Sequence, residues 1–170
     1  MPFRWPGLKP LDRISEPDER HQYFRQPDTL EPVTLASHHA DISAITLTAT
    51  APPEVAEAFD RARNAFLYCW YVYELGSLAE SQAYSTLELA LRLRLGVKGG
   101  RGAPTLNPLL RRAKKDGLLV PLDPRRLDPM IELVTHLRNN WNHGTSSLHD
   151  PGMTLSMLRT AADLINALYP

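Results

Sequence analysis

The sequence predicts an all-α protein: an antiparallel bundle of four to five helices over residues 53–170, preceded by an irregular proline-rich arm over 1–52 that packs on it. Three observations predict this. Eight of the 15 prolines fall within the first 53 residues, where missing backbone donors and restricted preceding residues oppose helix. From residue 54 onward, apolar residues recur at steps of three, four and seven, the stripe of amphipathic helices. Glycines and capping residues punctuate those stripes, and a chain of 170 residues can bury a core of its own.

In the arm, Thr46, Thr48 and Thr50 alternate with Ile45, Leu47 and Ala49, a pattern for a short half-buried strand. Val33–Leu35 could pair with it across a Ser37-His38-His39 turn, making one short β-hairpin. A first helix over 54–75 carries Val55, Phe59, Ala62, Phe66 and Tyr73 on one face and stops at Gly76. Ser77 with Glu80 reads as a capping box opening a second helix, which buries Tyr84, Leu87, Leu91 and Leu95 and closes at Gly96. The Gly99-Gly100-Arg101-Gly102 loop matches neither common nucleotide-binding fingerprint. A short third helix over 107–115 ends at Gly117, and a fourth opens at Asp128 with Pro129 in its first turn and runs to Gly144. The last helix, 154–168, turns Leu158, Ala161, Ile165 and Leu168 inward.

Composition narrows the function classes. Hydrophobic residues at 43% and charged residues at 22% are those of a globular protein, and the longest apolar run, Ala65 to Tyr73, is far short of the ~20 residues that span a bilayer. A lone cysteine, Cys69, and an amino terminus without an apolar leader point to a reducing, cytoplasmic setting and no membrane. Net charge is zero but unevenly spread. Arg92, Arg94, Lys98, Arg101, Arg111, Arg112, Lys114 and Lys115 follow one another with no acidic residue between them. Such a block is either a solvated surface or a seat for a polyanion, and by itself it does not separate RNA from DNA.

The fourth helix carries the chemistry. At ~100° per residue, Met130, Val134, Leu137 and Trp141 fall within roughly 60° and form its core stripe. Arg138, Asn139, Asn142 and His143 lie off it on an arc of about 140°, with Asn139 and His143 one turn apart. Asn139, Asn140 and Asn142 are poor helix formers where a merely solvated face would use Glu, Lys or Ala. They could satisfy carbonyls at a helix end, with Arg138 in a salt bridge and His143 as a cation near the negative dipole end.

The segment His136-Leu137-Arg138-Asn139-Asn140-Trp141-Asn142-His143-Gly144 resembles the signature of the HEPN superfamily: an arginine followed by a polar residue, then a histidine after four to six residues. Upstream, Tyr84–Gly96 (YSTLELALRLRLG) is similar to the second helix of such domains, so the resemblance covers about residues 54–168. It implies a HEPN-like bundle and a metal-independent endoribonuclease of toxin or antiphage-defence type, in which the RNA 2′-hydroxyl attacks the adjacent phosphate. In that reading His143 transfers protons, Arg138 neutralises the phosphorane and Asn139 positions the phosphate or imidazole. Asn140, Asn142, Glu88, Arg92, Arg94, Arg111, Arg112, Lys114 and Lys115 would support or bind RNA, with no cofactor and no metal. The family also implies a homodimer whose two motifs share one cleft, and a cognate antitoxin. Some toxin members carry a modifiable tyrosine two residues after the histidine; here Thr145 stands there, which puts silencing by that route in doubt.

The competing reading is a non-catalytic HEPN-like domain binding RNA, nucleotide or a protein partner. A metal site is disfavoured, because His136 and His143 are about two turns apart and His38-His39 and His149 read as loop residues. Glu88 reads as an exposed ion-pair partner of Arg92 at i+4, and Phe66, Tyr68, Trp70, Tyr71 and Tyr73 as core or, preferably, a dimer seam.

Overall fold

A computed structural model of the chain describes residues 7–120, 122–142 and 148–170, the side chains of 140–142 excepted. Six α-helices lie among these residues: α1 (Leu35–Ser43), α2 (Pro53–Tyr68), α3 (Leu75–Leu95), α4 (Leu106–Lys115), α5 (Pro124–Asn142) and α6 (Pro151–Leu168). Two short 3-10 turns, Leu11–Arg13 and Glu19–Tyr23, precede them. The all-α class is as expected, and α3 is its hub, packing against α2, α4, α5 and α6.

The reason lies in its side chains. Ala79, Ala83, Tyr84, Leu87, Ala90 and Leu91 are all buried, too wide an arc for one neighbour to cover. On α6, Leu158, Ala161, Ile165 and Leu168 are buried as expected. Small residues on both helices fit the close packing expected of helices in a core.

Several local expectations are corrected. The arm holds a helix: Thr34 and Ser37 form a reciprocal capping box that opens α1, so the Ser37-His38-His39 stretch is helical rather than a turn. No hairpin forms among the described residues; Arg25 and Pro32 make one isolated bridge. The alternating 45–50 segment meets the side chain of Asn166 instead. Its Oδ1 accepts from the Thr48 backbone N–H at 2.8 Å and its Nδ2 donates to the Thr46 carbonyl at 3.1 Å, so a side-chain amide takes the place of a partner strand. Thr48 and Thr50 hydroxyls both donate to the Tyr169 carbonyl.

The first predicted helix stops at Tyr68, short of Gly76. His38 Nε2 donates to the Phe66 carbonyl at 2.9 Å and His21 Nε2 to the Cys69 carbonyl at 3.0 Å, so arm side chains satisfy carbonyls at the helix end. Gly76 lies in the first turn of α3, and Ser77 donates to the Glu74 carbonyl rather than capping. Gly96, at φ +63°, closes α3 as predicted, with the Val97 N–H returning to the Arg92 carbonyl. α5 opens earlier than Asp128: Asp123 accepts from the Arg125 N–H at 2.9 Å, and Pro129 is taken inside the helix. Its core stripe is shifted accordingly, with Leu127, Ile131 and Val134 buried and Met130 and Leu137 only partly so. Trp141's side chain and Gly144 lie outside the described residues.

Phe66 and Trp70 face the chain's own arm rather than a free surface. His38 stacks on Phe66 at 4.5 Å and His21 on Trp70 at 4.6 Å, leaving Tyr68 as the exposed member of the predicted seam. Tyr73 lies beyond α2 and stacks on Phe24, with the Arg20 guanidinium 4.1 Å from its ring centre.

Candidate functional site

The last turns of α5 carry Arg138 and Asn139, and the middle of α3 faces them with Ser81, Tyr84, Ser85, Glu88, Leu89 and Arg92. Together the α3 residues and Arg138 line an open cleft of about 310 Å³. Residues 81, 85, 88 and 92 recur at steps of three and four along one side of α3, so the helical repeat alone brings them into register.

Glu88 is the centre of the charge arrangement. Its Oε1 accepts from the Arg92 guanidinium at 2.7 Å and its Oε2 from Arg138 at 3.4 Å. The Glu88–Arg92 pair was expected, but it is half-buried rather than exposed, and the same carboxylate reaches across to α5. Arg92 also donates to the Pro104 carbonyl at 2.8 Å and to the Lys98 carbonyl, which ties it to the glycine-containing loop between α3 and α4. Arg138 makes a long contact with the amide oxygen of Asn139 at 3.4 Å. One carboxylate thus bridges two guanidiniums, one on α3 and one on α5, across the cleft.

The predicted residues separate into two sets. Arg138, Glu88 and Arg92 come together at the cleft, with Asn139 beside Arg138; His143 lies outside the described residues, as do the side chains of Asn140 and Asn142. The rest of the basic block does not line this cleft. Arg94 lies 5.8 Å from the Tyr169 ring centre, Arg111 donates to Asn107, Arg112 pairs with Asp116, and Lys114 pairs with Asp128 at 2.5 Å. Lys115 is exposed on α4.

Two polar features escaped the sequence reading. Tyr84, expected in the core, is 2% exposed and lines the cleft, with its hydroxyl buried and without a hydrogen-bond partner among the described residues; burial and the nearby charge of Glu80 push its pKa well above that of an ordinary phenol. Glu80, expected in a capping box, is fully buried. It accepts from the Thr154 hydroxyl at 2.7 Å, and both its oxygens lie within 3.0 Å of His149 Nδ1. Helical bookkeeping held the signal: Glu80 is one turn before Tyr84, about 40° away, and flanked at −1 and +3 by alanines of the buried face. Among the described residues no group of three His, Cys, Asp or Glu side chains is arranged to hold a metal ion, and no helix is long and apolar enough to cross a membrane.

No protein-family model, curated protein or solved structure matches the chain.

Proposed function

We propose that the protein is a metal-independent endoribonuclease of toxin or antiphage-defence type that cleaves RNA at the end of α5. The observation that carries this reading is the Arg138–Glu88–Arg92 bridge across one cleft: the two segments read separately as motif and companion helix meet there. In the reaction, the RNA 2′-oxygen bonds to the adjacent phosphorus and the P–O5′ bond breaks, leaving a 2′,3′-cyclic phosphate and a 5′-hydroxyl. A proton leaves the 2′-hydroxyl and one arrives on O5′. His143 is assigned this proton traffic, since imidazole exchanges protons near neutral pH. Arg138, held by Glu88, is assigned to the phosphate oxygens, where a permanently charged planar donor stabilises the pentacoordinate state. Asn139, beside it, orients the same phosphate.

Single-stranded or looped RNA is the matching substrate, because in-line attack needs a flexible backbone. A second copy of the chain contributing its own Arg138 and His143 would complete a shared cleft, and a cognate antitoxin would then act by covering it. The test is incubation of labelled RNA with purified protein in the presence of a chelator. Cleavage is expected for the wild type and should fall ~10²–10⁴-fold in His143→Ala, with a comparable loss in Arg138→Ala. RNA retained on the protein without any product would instead identify a non-catalytic binding domain.

A further inference from the structure

The Gly99-Gly100-Arg101-Gly102 stretch matches no common nucleotide-binding fingerprint, yet the loop that carries it starts where the cleft ends. Arg92 makes the join. Its guanidinium donates to Glu88 at 2.7 Å, to the Lys98 carbonyl at 3.4 Å and to the Pro104 carbonyl at 2.8 Å. One planar cation thus pins both ends of the loop. Arg138, Glu88, Arg92 and the loop form an unbroken chain of contacts. Within the loop the Ala103 N–H returns to the Gly100 carbonyl at 3.1 Å, so the arch is folded on itself.

What the arch presents is donors and positive charge. Residues 98–102 are all exposed, and the side chains of Lys98 and Arg101 have no hydrogen-bond or ion-pair partner among the described residues. The backbone N–H groups of 98–102 likewise meet no acceptor among those residues. No acidic residue stands in the chain between Glu88 and Asp116, and Glu88 is engaged by Arg92 and Arg138. Gly100 and Gly102 lie at φ +131° and +80° with Arg101 at negative φ between them, the alternation from which anion-binding nests of backbone amides are built. A Cβ added at 99, 100 or 102 would meet nothing within 4 Å, so no side chain stands between these amides and an incoming phosphate oxygen. Water satisfies such groups in the free protein; their place beside the cleft arginines gives them a use.

We propose that this loop holds the RNA backbone next to the phosphate that is cut: Lys98, Arg101 and the exposed amides between Pro104 and Arg92 bind phosphates of a single strand as it leaves the cleft. The inference rests on the ribonuclease reading given above and extends its substrate from one phosphodiester to a strand of several nucleotides. Contacts of this kind set affinity and register without reading sequence.

The experiment uses the full-length protein and labelled, non-cleavable 2′-deoxy oligonucleotides of about 4 and about 12 nucleotides, followed by fluorescence anisotropy across a range of salt. The wild type should hold the longer strand at least ~10-fold more tightly. Lys98→Gln with Arg101→Gln should remove most of that advantage and lower the slope of log affinity against log salt by about 1.4, two contacts at ~0.7 each. In RNA cleavage with chelator the same loss should appear in KM. Arg61→Gln with Arg159→Gln removes as much charge from exposed sites on α2 and α6 and should weaken binding less than about twofold. Equal losses from the two pairs would make binding a property of net charge and overturn the loop's role, as would an unchanged salt slope in the loop pair. Sedimentation with phosphatidylserine vesicles that needs Lys98 and Arg101, while oligonucleotide binding does not, would assign the loop to a lipid surface and also overturn it. If the wild type binds the longer strand through the loop but cuts no RNA, the ribonuclease reading fails alone. If it cuts RNA with the same KM in the loop pair, the loop's role fails alone; no binding of either length overturns both.

Discussion

His38 donates its Nε2 proton to the Phe66 carbonyl at 2.9 Å while its ring lies on the Phe66 ring at 4.5 Å, so one arm residue both caps α2 and covers its end. His21 repeats the arrangement at Cys69 and Trp70, with the two imidazole centres 6.0 Å apart.

That pair makes stability depend on pH. Burial lowers the pKa of both histidines below the ordinary 6.5, opposed in part by their carbonyl bonds, by Asp18 for His21 and by Asp41 for His38; Arg20 (for His21) and the neighbouring His21 imidazole (for His38) push the same way as burial. The unfolded chain therefore binds protons that the folded chain resists. Stability is full above about pH 6.5 and declines as pH falls below it, by at most ~1.4 kcal/mol per pH unit per histidine, levelling only beneath the folded-state values. Asp18, held low by its bonds to Arg20, loses its contribution only below the ordinary 3.8, so the decline between the two regions belongs to the histidines. Thermal melts from pH 7.5 down to about 5 should show it, and His21→Gln with His38→Gln should flatten it.

Cys69 should be chemically quiet. It is buried under the arm and burial pushes its thiol up to about 12, leaving almost no thiolate at neutral pH. Reaction with a disulfide reagent at pH 8 should be at least ~100-fold slower in the folded protein than in urea. Rapid labelling of the native protein would show that the arm does not cover this end of α2.

Two glycines should respond oppositely to alanine. Gly76 has helical geometry, and an added Cβ would meet the Thr154 hydroxyl at an ordinary 3.5 Å, so Gly76→Ala should stabilise by roughly 0.5–1 kcal/mol. Gly96 sits at φ +63° at the end of α3, and Gly96→Ala should cost about 1 kcal/mol although nothing crowds the site. Denaturant melts of both variants test whether the break between α2 and α3 lies before Gly76.

Glu88→Gln should separate binding from turnover. Removing the carboxylate between Arg92 and Arg138 raises the positive charge of the cleft but releases the hold on Arg138. Binding of a non-cleavable 2′-deoxy oligonucleotide, followed by fluorescence anisotropy, should tighten several-fold at low salt and depend more steeply on salt, while RNA cleavage falls ~10-fold. Weaker binding by the variant would show that Glu88 aligns the guanidiniums for the anion rather than competing with it.

Much of the candidate site was legible before folding was considered. The helical repeat placed Glu88 and Arg92 as neighbours, and the asparagine-rich end of α5 marked Arg138 and Asn139 as polar residues off the core stripe. The pairing of Arg138 with Glu88 was not legible, because it joins residues 50 positions apart on different helices. Nor was the scatter of the basic block: Arg111, Arg112 and Lys114 are occupied by partners on α4, just past its end and on α5, a division that charge counting along the chain does not see.

The sequence alone determined the helical class, the buried stripes of α2, α3 and α6, and the glycine ends at Gly96 and Gly117, since each depends on periodicity or backbone chemistry within a turn or two. Only the tertiary structure decided that α2 stops at Tyr68, that the threonines at 46–50 bond to Asn166 instead of forming a strand, and that Glu80 is buried rather than capping. In each case the deciding partner lies far along the chain: 28 residues from Phe66 to His38, 118 from Thr48 to Asn166, 69 and 74 from Glu80 to His149 and Thr154. Local propensity is a preference of about a kilocalorie or less per residue, and a buried carbonyl or carboxylate that finds its donor outweighs it.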